Sequence, residues 1–508
     1  MTNTPTRRAR FRWQRGIRAA SWYKPGMTAT PPEWSPPPER RVFCNRTLNM
    51  RSVRAIGFDM DYTLVHYDVR EWEARAYAHV CERLRARGLP IDDLRFDAEL
   101  FARGLIVDLE LGNIVKANRF GYVTQAAHGT AMLPHEEQRR AYSQVWVDLG
   151  EPRWVFLNTL FSLSESCIYG QLVDLLDDGE LPAIGNGGRD YRALYQLVNE
   201  EINAAHLEGQ LKAEIIDDPE RFVDLDPDLP QTLLDLKHAG KKLFLATNSE
   251  WHYTRAMMGY AFDGRLGGLD WRELFDLVIV QAKKPAFFER TAPFHEVLDD
   301  DGNEGPLQGP LRAGVIYRGG NAEDVQRHLG LDGGEILYVG DHVYADVHVS
   351  SRIRRWRTAL VLRELEDEVR AEQGFVTQQR ELDEMMQQKV ALDEEQAMLR
   401  IAMLRLERNE PLPRGVLADA DAIQVRLREL RAQSEALDAR IGPLVQANAQ
   451  LSNARWGLQM RAGSDKSRLA RQIEGHADVY TSRVSNLLHL TPFAYLRAAR
   501  GSLPHDSR

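Results

Sequence analysis

Four short apolar runs, each closing on polar residues, punctuate this chain. They are Val53 to Asp59, Lys242-Leu243-Phe244-Leu245-Ala246-Thr247-Asn248, Leu277-Val278-Ile279-Val280 with Lys283 and Lys284 just beyond, and Glu335-Ile336-Leu337-Tyr338-Val339-Gly340-Asp341. Short apolar runs without alternation read as strands buried on both faces. Helical stretches separate them, so the pattern predicts an α/β fold built on an open parallel sheet. In such a sheet the site lies beyond the carboxyl ends of the strands. The polar residues at those ends then carry chemistry, and the apolar bodies only the core.

The interval between Asp61 and Thr247 is far too long for a structureless loop. It predicts a separate inserted unit with its own helices, one of them Glu71 to Arg87, stopped by Gly88 and Pro90. From Leu365 the composition turns to Glu, Gln, Arg, Leu and Met. There Ile423, Leu427, Leu430, Ser434, Leu437, Ile441, Leu444, Asn448 and Leu451 follow a 4/3 spacing with polar breaks at Ser434 and Asn448. That is a heptad seam. Pro411-Leu412-Pro413-Arg414-Gly415 parts it from an earlier helix over about 365–408. The pair predicts an antiparallel coiled-coil hairpin, kinked at Pro443, which either packs on itself or serves as an oligomerisation or partner arm. The expected organisation is a disordered basic and proline-rich tail (1–41), a core begun at 42–70 and resumed at 231–364, an inserted cap (71–230), the hairpin (365–455) and a closing segment that returns to the core (456–508).

Composition adjusts this picture in three places. The 508 residues suggest about three folded units, and 43% hydrophobic with 27% charged residues is ordinary for a globular protein with a substantial core. The formal charge of −9 argues against a chain devoted to phosphate-backbone binding. It also hides an asymmetry: residues 1–41 carry nine basic residues against Glu33 and Glu39, a surplus of seven, which leaves −16 for the remainder. Nucleic acid is therefore expected, if anywhere, only as weak binding to the tail. Cys44, Cys81 and Cys167 are too far apart for a metal pair and too few for a disulfide framework, which points to a reducing compartment. No apolar run approaches the ~18 residues of a membrane span, and the arginine-rich start lacks the apolar stretch of a secretory signal. The expected location is the cytoplasm.

The chemistry converges on the strand ends. Asp59 and Asp61 stand two residues apart just after a buried strand, so both can reach one reacting phosphate. Asp59 can attack phosphorus, and Asp61 can protonate the leaving alkoxide and then deprotonate the hydrolytic water. Alone, two such acids also cap helices or decorate loops. The other strand ends supply what phosphoryl transfer further needs: a hydroxyl and an amide from Thr247 and Asn248, a cation from Lys284, and Gly340-Asp341 with Asp346, suited to a hard cation such as Mg²⁺.

This set resembles the haloacid dehalogenase (HAD) superfamily of aspartyl-phosphate phosphohydrolases. The wording of Phe58-Asp59-Met60-Asp61-Tyr62-Thr63-Leu64, Leu245-Ala246-Thr247-Asn248-Ser249, Lys284-Pro285-Ala286-Phe287-Phe288 and Gly340-Asp341-His342 is similar to the cytosolic purine 5′-nucleotidases that prefer IMP and GMP. The similarity continues through Ala477-Asp478-Val479-Tyr480, Asn486-Leu487-Leu488 and Pro492 to Ala499, and so covers about 42–508. It implies a Rossmann-like HAD core with a large inserted cap and a Mg²⁺ cofactor. Asp59 would be nucleophile and metal ligand, and Asp61 acid/base, with its carbonyl a second ligand. Asp341 would be a further ligand, Asp346 a support of the metal shell or of Lys284, and Thr247, Asn248 and Lys284 the phosphate holders. In the inserted unit, Phe161 matches an aromatic that stacks on the purine, and His206 and Lys212 fall on positions that face nucleotide. The substrate would be a nucleoside 5′-monophosphate, with phosphotransfer to a second nucleoside as a side activity, and the assembly a homo-oligomer.

Two departures qualify the resemblance. Asn199 and Asn203 stand where the animal enzymes carry an arginine and an aspartate, so charged hydrogen bonds to the base give way to neutral amides. Gly475 replaces an arginine of the family's effector pocket, so activation by ATP does not carry over. A phosphatase for a non-nucleotide phosphomonoester shares the same core residues and differs only in the cap. An interaction protein with a vestigial core is the other alternative, and the intact Asp59, Asp61, Thr247, Lys284 and Asp341 speak against it.

Overall fold

The computed structural model describes residues 35–501, apart from 183, 186–188, 208 and 416–418 and the side chains at 206 and 207. Its centre is a ten-stranded sheet. The order is Phe43–Cys44, Val479–Thr481, Arg357–Val361, Ile336–Gly340, Ala55–Phe58, Lys242–Ala246, Leu277–Val280, Ile316–Gly319, Phe294–Val297, Glu304–Pro306. The seven strands from Val479–Thr481 to Ile316–Gly319 run parallel, and antiparallel strands close both edges. The expected parallel α/β core is therefore present, and the four predicted runs are its four adjacent middle strands. Each is buried over its apolar length because helices cover both faces.

Topology makes the site. From Ala55–Phe58 the chain builds outward on one side through Lys242–Ala246 and Leu277–Val280. It then crosses back to lay Ile336–Gly340 on the other side. Ala55–Phe58 is thus the switch point, where the connections leave in opposite directions and open a crevice at the carboxyl ends.

Between the first two core strands the chain forms a second body with its own core of Val80, Leu84, Val107, Ile168, Leu172, Leu194 and Val198. Helix Val69–Ala86 starts on Asp68, whose carboxylate accepts from the amides of Arg70 and Glu71, and it stops before Gly88 at φ +83°. Helices Ser162–Asp177 and Tyr191–Leu207 pack with it. Beside them stands a five-stranded antiparallel sheet, ordered Ala131–Met132, Val123–His128, Asn113–Ala117, Ile106–Asp108, Trp154–Phe156. Only helices are legible here from the pattern. Strand Asn113–Ala117 is buried throughout although it contains Asn113 and Lys116, and the Lys116 ammonium is satisfied by the carbonyls of Trp456 and Leu458. Buried polar residues erase the apolar signature of such a strand.

Helices Leu365–Glu407 and Ala420–Ala449 run antiparallel, as the register of Arg440 with Glu381, Arg426 with Glu395 and Asn448 with Gln379 requires. Leu382, Met385, Leu437 and Ile441 form the buried seam, and Asn448, a polar break in the heptads, donates to Gln379 at 3.1 Å. Pro443 lies inside the second helix. No helix among the described residues is long and apolar enough to cross a membrane, and all three cysteines are free.

One boundary moves. The tail expected over 1–41 includes residues that are ordered: Pro38–Arg40 forms a short 3₁₀ turn, and Arg40 donates to Asn486, Ser485 and Asp228. Arg40 therefore contributes to an internal ion pair rather than to a solvated basic run. Residues 1–34, with the six leading arginines, lie outside the described residues.

Candidate active site

Strand register brings the polar ends together. Phe58 pairs with Leu245 on one side and Val339 on the other, and Ala246 pairs with Ile279. Asp59, Thr247 and Asp341 thus leave the sheet at nearly one level, each one residue past its strand.

Lys284 crosses from the next strand end and places its ammonium 2.7 Å from Asp59 Oδ1 and 2.8 Å from Asp346 Oδ1. All three groups are buried. Burial pushes the Asp59 carboxyl up to about 7, against the pull of Lys284. Burial also works against the charge on Lys284, but Asp346 and Asp59 more than offset it and hold the ammonium well above its ordinary pKa. Asp346 rides on a wide turn, Val343–His348, with π-helical hydrogen bonding, and its Oδ2 accepts the amide of His342 at 3.1 Å. Gly340 is needed for this approach: a Cβ there would come within 2.5 Å of the Asp346 side chain.

Asp59, Asp341 and Asp346 each offer a carboxylate oxygen within 4.8 Å of the others. Burial, reinforced by Asp346, pushes Asp341 well above the usual carboxylate range. Among the described residues the Asp341 carboxylate has no ion-pair partner; besides Lys284, the one buried cation beside these three acids is Arg103, which reaches the main-chain carbonyl of Asp341. This all-oxygen, anion-rich set fits a hard divalent cation such as Mg²⁺.

Asp61 is held differently. Its Oδ1 accepts from Tyr67 Oη at 2.6 Å and its Oδ2 from Ser249 Oγ at 2.7 Å. Tyr253 Oη in turn donates to Tyr67 at 3.0 Å. The backbone just after Asp61 passes through the left-handed region at Tyr62, φ 53°. That conformation costs a non-glycine residue about 1–3 kcal/mol, and the buried Tyr62 ring, packed among Tyr67, Trp72 and Phe161, retains it.

Thr247 is fully buried, and its Oγ1 accepts the Ser249 amide at 3.1 Å. Asn248 spends its side chain on Lys284: Oδ1 accepts the Lys284 amide at 2.7 Å and Nδ2 donates to the Lys284 carbonyl at 3.2 Å. The amide expected on a phosphate thus anchors the main chain of Lys284.

Of the substrate residues expected in the inserted body, Phe161 and Lys212 come to the loops beyond the strand ends. The half-buried Phe161 meets Tyr62 edge-on at 4.7 Å and Trp72 at 5.5 Å. Lys212 pairs with Glu250 at 3.0 Å and lies over the Tyr253 ring at 5.1 Å, one hydroxyl away from the Tyr67 that holds Asp61. Asn199 donates instead to Glu165 at 2.9 Å, and the exposed Asn203 donates back to Asn199. Helix Tyr191–Leu207 contains His206, whose side chain lies outside the described ones.

Several residues escape the sequence reading. Tyr67, Ser249 and Tyr253 hold Asp61. Ser249 directly follows Thr247-Asn248, which was a usable signal; the tyrosines offered none. Arg103 is a further case. It is buried, and its guanidinium donates to the carbonyl of Asn158 at 2.9 Å, to Glu364 at 3.1 Å and to the carbonyl of Asp341 at 2.5 Å. A lone arginine inside Leu100-Phe101-Ala102-Arg103-Gly104-Leu105-Ile106-Val107 is the trace it leaves in the sequence.

A parallel α/β core with an aspartate–lysine–aspartate centre at its switch point describes a class of phosphoryl-handling enzymes. The chain belongs to the 5′-nucleotidase family, whose model matches residues 42–508, and with it to the phosphate-monoester hydrolases. A 5′-nucleotidase domain-containing protein of Dictyostelium discoideum is 27% identical over 482 residues, covering 92% of this chain and 74% of that one. Human 5′-nucleotidase domain-containing protein 2 is 28% identical over 487 residues, covering 92% and 85%. Among solved structures, an archaeal beta-phosphoglucomutase from a hyper-thermophilic Pyrococcus is similar at 12% identity and a TM-score of 0.28, over 61% of this chain and 86% of that one.

Proposed function

We propose that the protein hydrolyses purine nucleoside 5′-monophosphates, of the IMP and GMP type, through an aspartyl-phosphate on Asp59. The observation that carries this reading is the Lys284 ammonium held between Asp59 and Asp346 at the switch point, with Asp61 fixed two residues from Asp59. An Asp59 carboxylate oxygen attacks phosphorus as the ester oxygen departs. Asp61 delivers a proton to that oxygen, then removes one from the water that opens the acyl phosphate and regenerates Asp59. Lys284 and the Thr247 hydroxyl hold phosphoryl oxygens, while Asn248 keeps Lys284 in place. Asp59, the Asp61 carbonyl and Asp341, with Asp346 in support, would hold Mg²⁺, which would supply charge neutralisation and orientation at the phosphate.

Residues 71–230 serve as the cap that selects the substrate. Phe161, next to Tyr62, provides the face for the base, and Lys212 a cation beside the Asp61 cluster. Because Asn199 is engaged with Glu165, the base is recognised more by stacking than by charged hydrogen bonds, and discrimination among purines is modest. The same acyl phosphate can pass its phosphoryl group to a second nucleoside when that acceptor is abundant. Phosphate release from IMP, GMP, AMP, UMP and sugar phosphates, with Mg²⁺ and with EDTA, tests the reading. Turnover of IMP and GMP that EDTA abolishes is expected; turnover of sugar phosphates alone would overturn the nucleotide assignment.

A further inference from the structure

Arg103 belongs to the inserted body, yet two of its three partners are in the core. Its own turn is rigid: Gly104 sits at φ +89° with its amide donating to the Leu157 carbonyl at 2.7 Å, and a Cβ on Gly104 would come within 2.8 Å of Leu469. The guanidinium is therefore fixed from behind, by the Asn158 carbonyl ahead of Phe161 and by Leu469 of the closing segment, which packs under its turn. In front it meets the carbonyl of Asp341 and the carboxylate of Glu364, the residue that opens the long helix Leu365–Glu407.

We infer that Arg103 is a positioning residue that makes cap closure and the metal-ready orientation of Asp341 one event. This rests on the reading of the site as a metal-dependent phosphatase. The physical reason is the cost of partial separation. A cap that separates too little to admit water leaves a guanidinium without the Asp341 and Glu364 oxygens, and an unpaired charge in a buried place is strongly unfavourable. Conversely, a cation on the Asp341 carboxylate steadies the loop whose carbonyl Arg103 grips. Through Asn158, three residues before Phe161, the same side chain steadies the loop proposed to carry the base. Metal binding and cap closure should then favour each other by linkage. Lysine cannot replace this fork, since a single ammonium does not reproduce the planar, multi-donor geometry.

The test uses the full-length protein without substrate. Hydrogen exchange with and without Mg²⁺ should show added protection in two places, the 341–346 loop and the cap segments 103–105 and 157–161. In R103K the first should persist and the second should vanish. Calorimetric titration of R103K should show Mg²⁺ affinity lowered by about tenfold, within the range for partners that orient metal ligands. With nucleotide, KM should rise while kcat at saturating Mg²⁺ stays within about threefold of the parent, a split that general destabilisation would not produce. An R103K protein that binds Mg²⁺ and exchanges like the parent would overturn the inference. If R103K does not fold, the parent decides alone: Mg²⁺ protection confined to 341–346 overturns it. A parent that shows the linked protection but hydrolyses no nucleotide removes the proposed substrate and leaves this coupling standing, whereas a parent that binds no Mg²⁺ removes both.

Discussion

Lys284 Nζ lies 2.8 Å from Asp346 Oδ1 while the same ammonium touches Asp59 at 2.7 Å. One buried cation serves two buried acids, with a third acid close by. Removing one member of a buried pair costs about 3–5 kcal/mol, because the other charge is left uncompensated. K284M should therefore unfold at lower urea by that order when measured in EDTA, and should release no phosphate. Added Mg²⁺ should recover part of the stability and none of the activity. A urea midpoint indifferent to Mg²⁺ would argue against the three-aspartate metal site.

Asp59 is the single atom source of the proposed covalent intermediate. D59N removes the nucleophile and almost no volume, so the fold should persist by circular dichroism while phosphate release drops by roughly a thousandfold or more. Retained turnover would show the mechanism to be wrong.

Tyr67 and Ser249 take the two oxygens of Asp61. Leaving one of those oxygens unsatisfied costs about 1–3 kcal/mol. Y67F and S249A are each expected to lower kcat by about ten- to a hundredfold with little change in KM, since they misplace the proposed acid/base and leave the proposed phosphate contacts alone. Steady-state kinetics on the two variants decides this. A rise in KM at constant kcat would place these residues in substrate binding instead.

Glu73, on helix Val69–Ala86, has one oxygen accepting the Ser164 amide at 2.8 Å near the start of the helix that follows Phe161. Burial pushes this carboxyl from an ordinary 4.5 up to about 8, against that hydrogen bond. Between those values the folded protein keeps a proton that the unfolded chain has released, so its contribution to stability declines as pH rises from about 4.5 to 8 and is level above that. Urea unfolding of the parent between pH 5.5 and 8.5 should show this decline, and E73Q should flatten it. An identical pH slope in E73Q would assign the dependence to other groups.

Much of the core was legible because burial on both faces of a parallel strand leaves an unbroken apolar run, and because strand ends carry the only polar residues such runs allow. Asp59, Thr247, Lys284 and Asp341 could be picked out for that reason. The helix pair was legible for a similar one: Leu430, Leu437 and Ile441 repeat along one face. The antiparallel sheet of the inserted body was hidden, since short strands with buried Lys116 and Asn113 show neither alternation nor an apolar run. The role of Asn248 was hidden too, because an amide two residues past a strand suits a phosphate and a neighbouring main chain equally.

By itself the sequence determined the parallel α/β core, the heptad seam and the set of acids and the lysine that meet beyond the strands, since these follow from local period and residue type. Only the tertiary structure decided which oxygen each cation touches, that Tyr67 and Ser249 take Asp61, that Asn248 serves Lys284, and that Arg103 reaches from the inserted body to Asp341. Those contacts join residues 6 to 261 positions apart. No local pattern encodes them. They exist because crossover connections and close packing bring distant segments to one crevice, where a buried charge must find its partner.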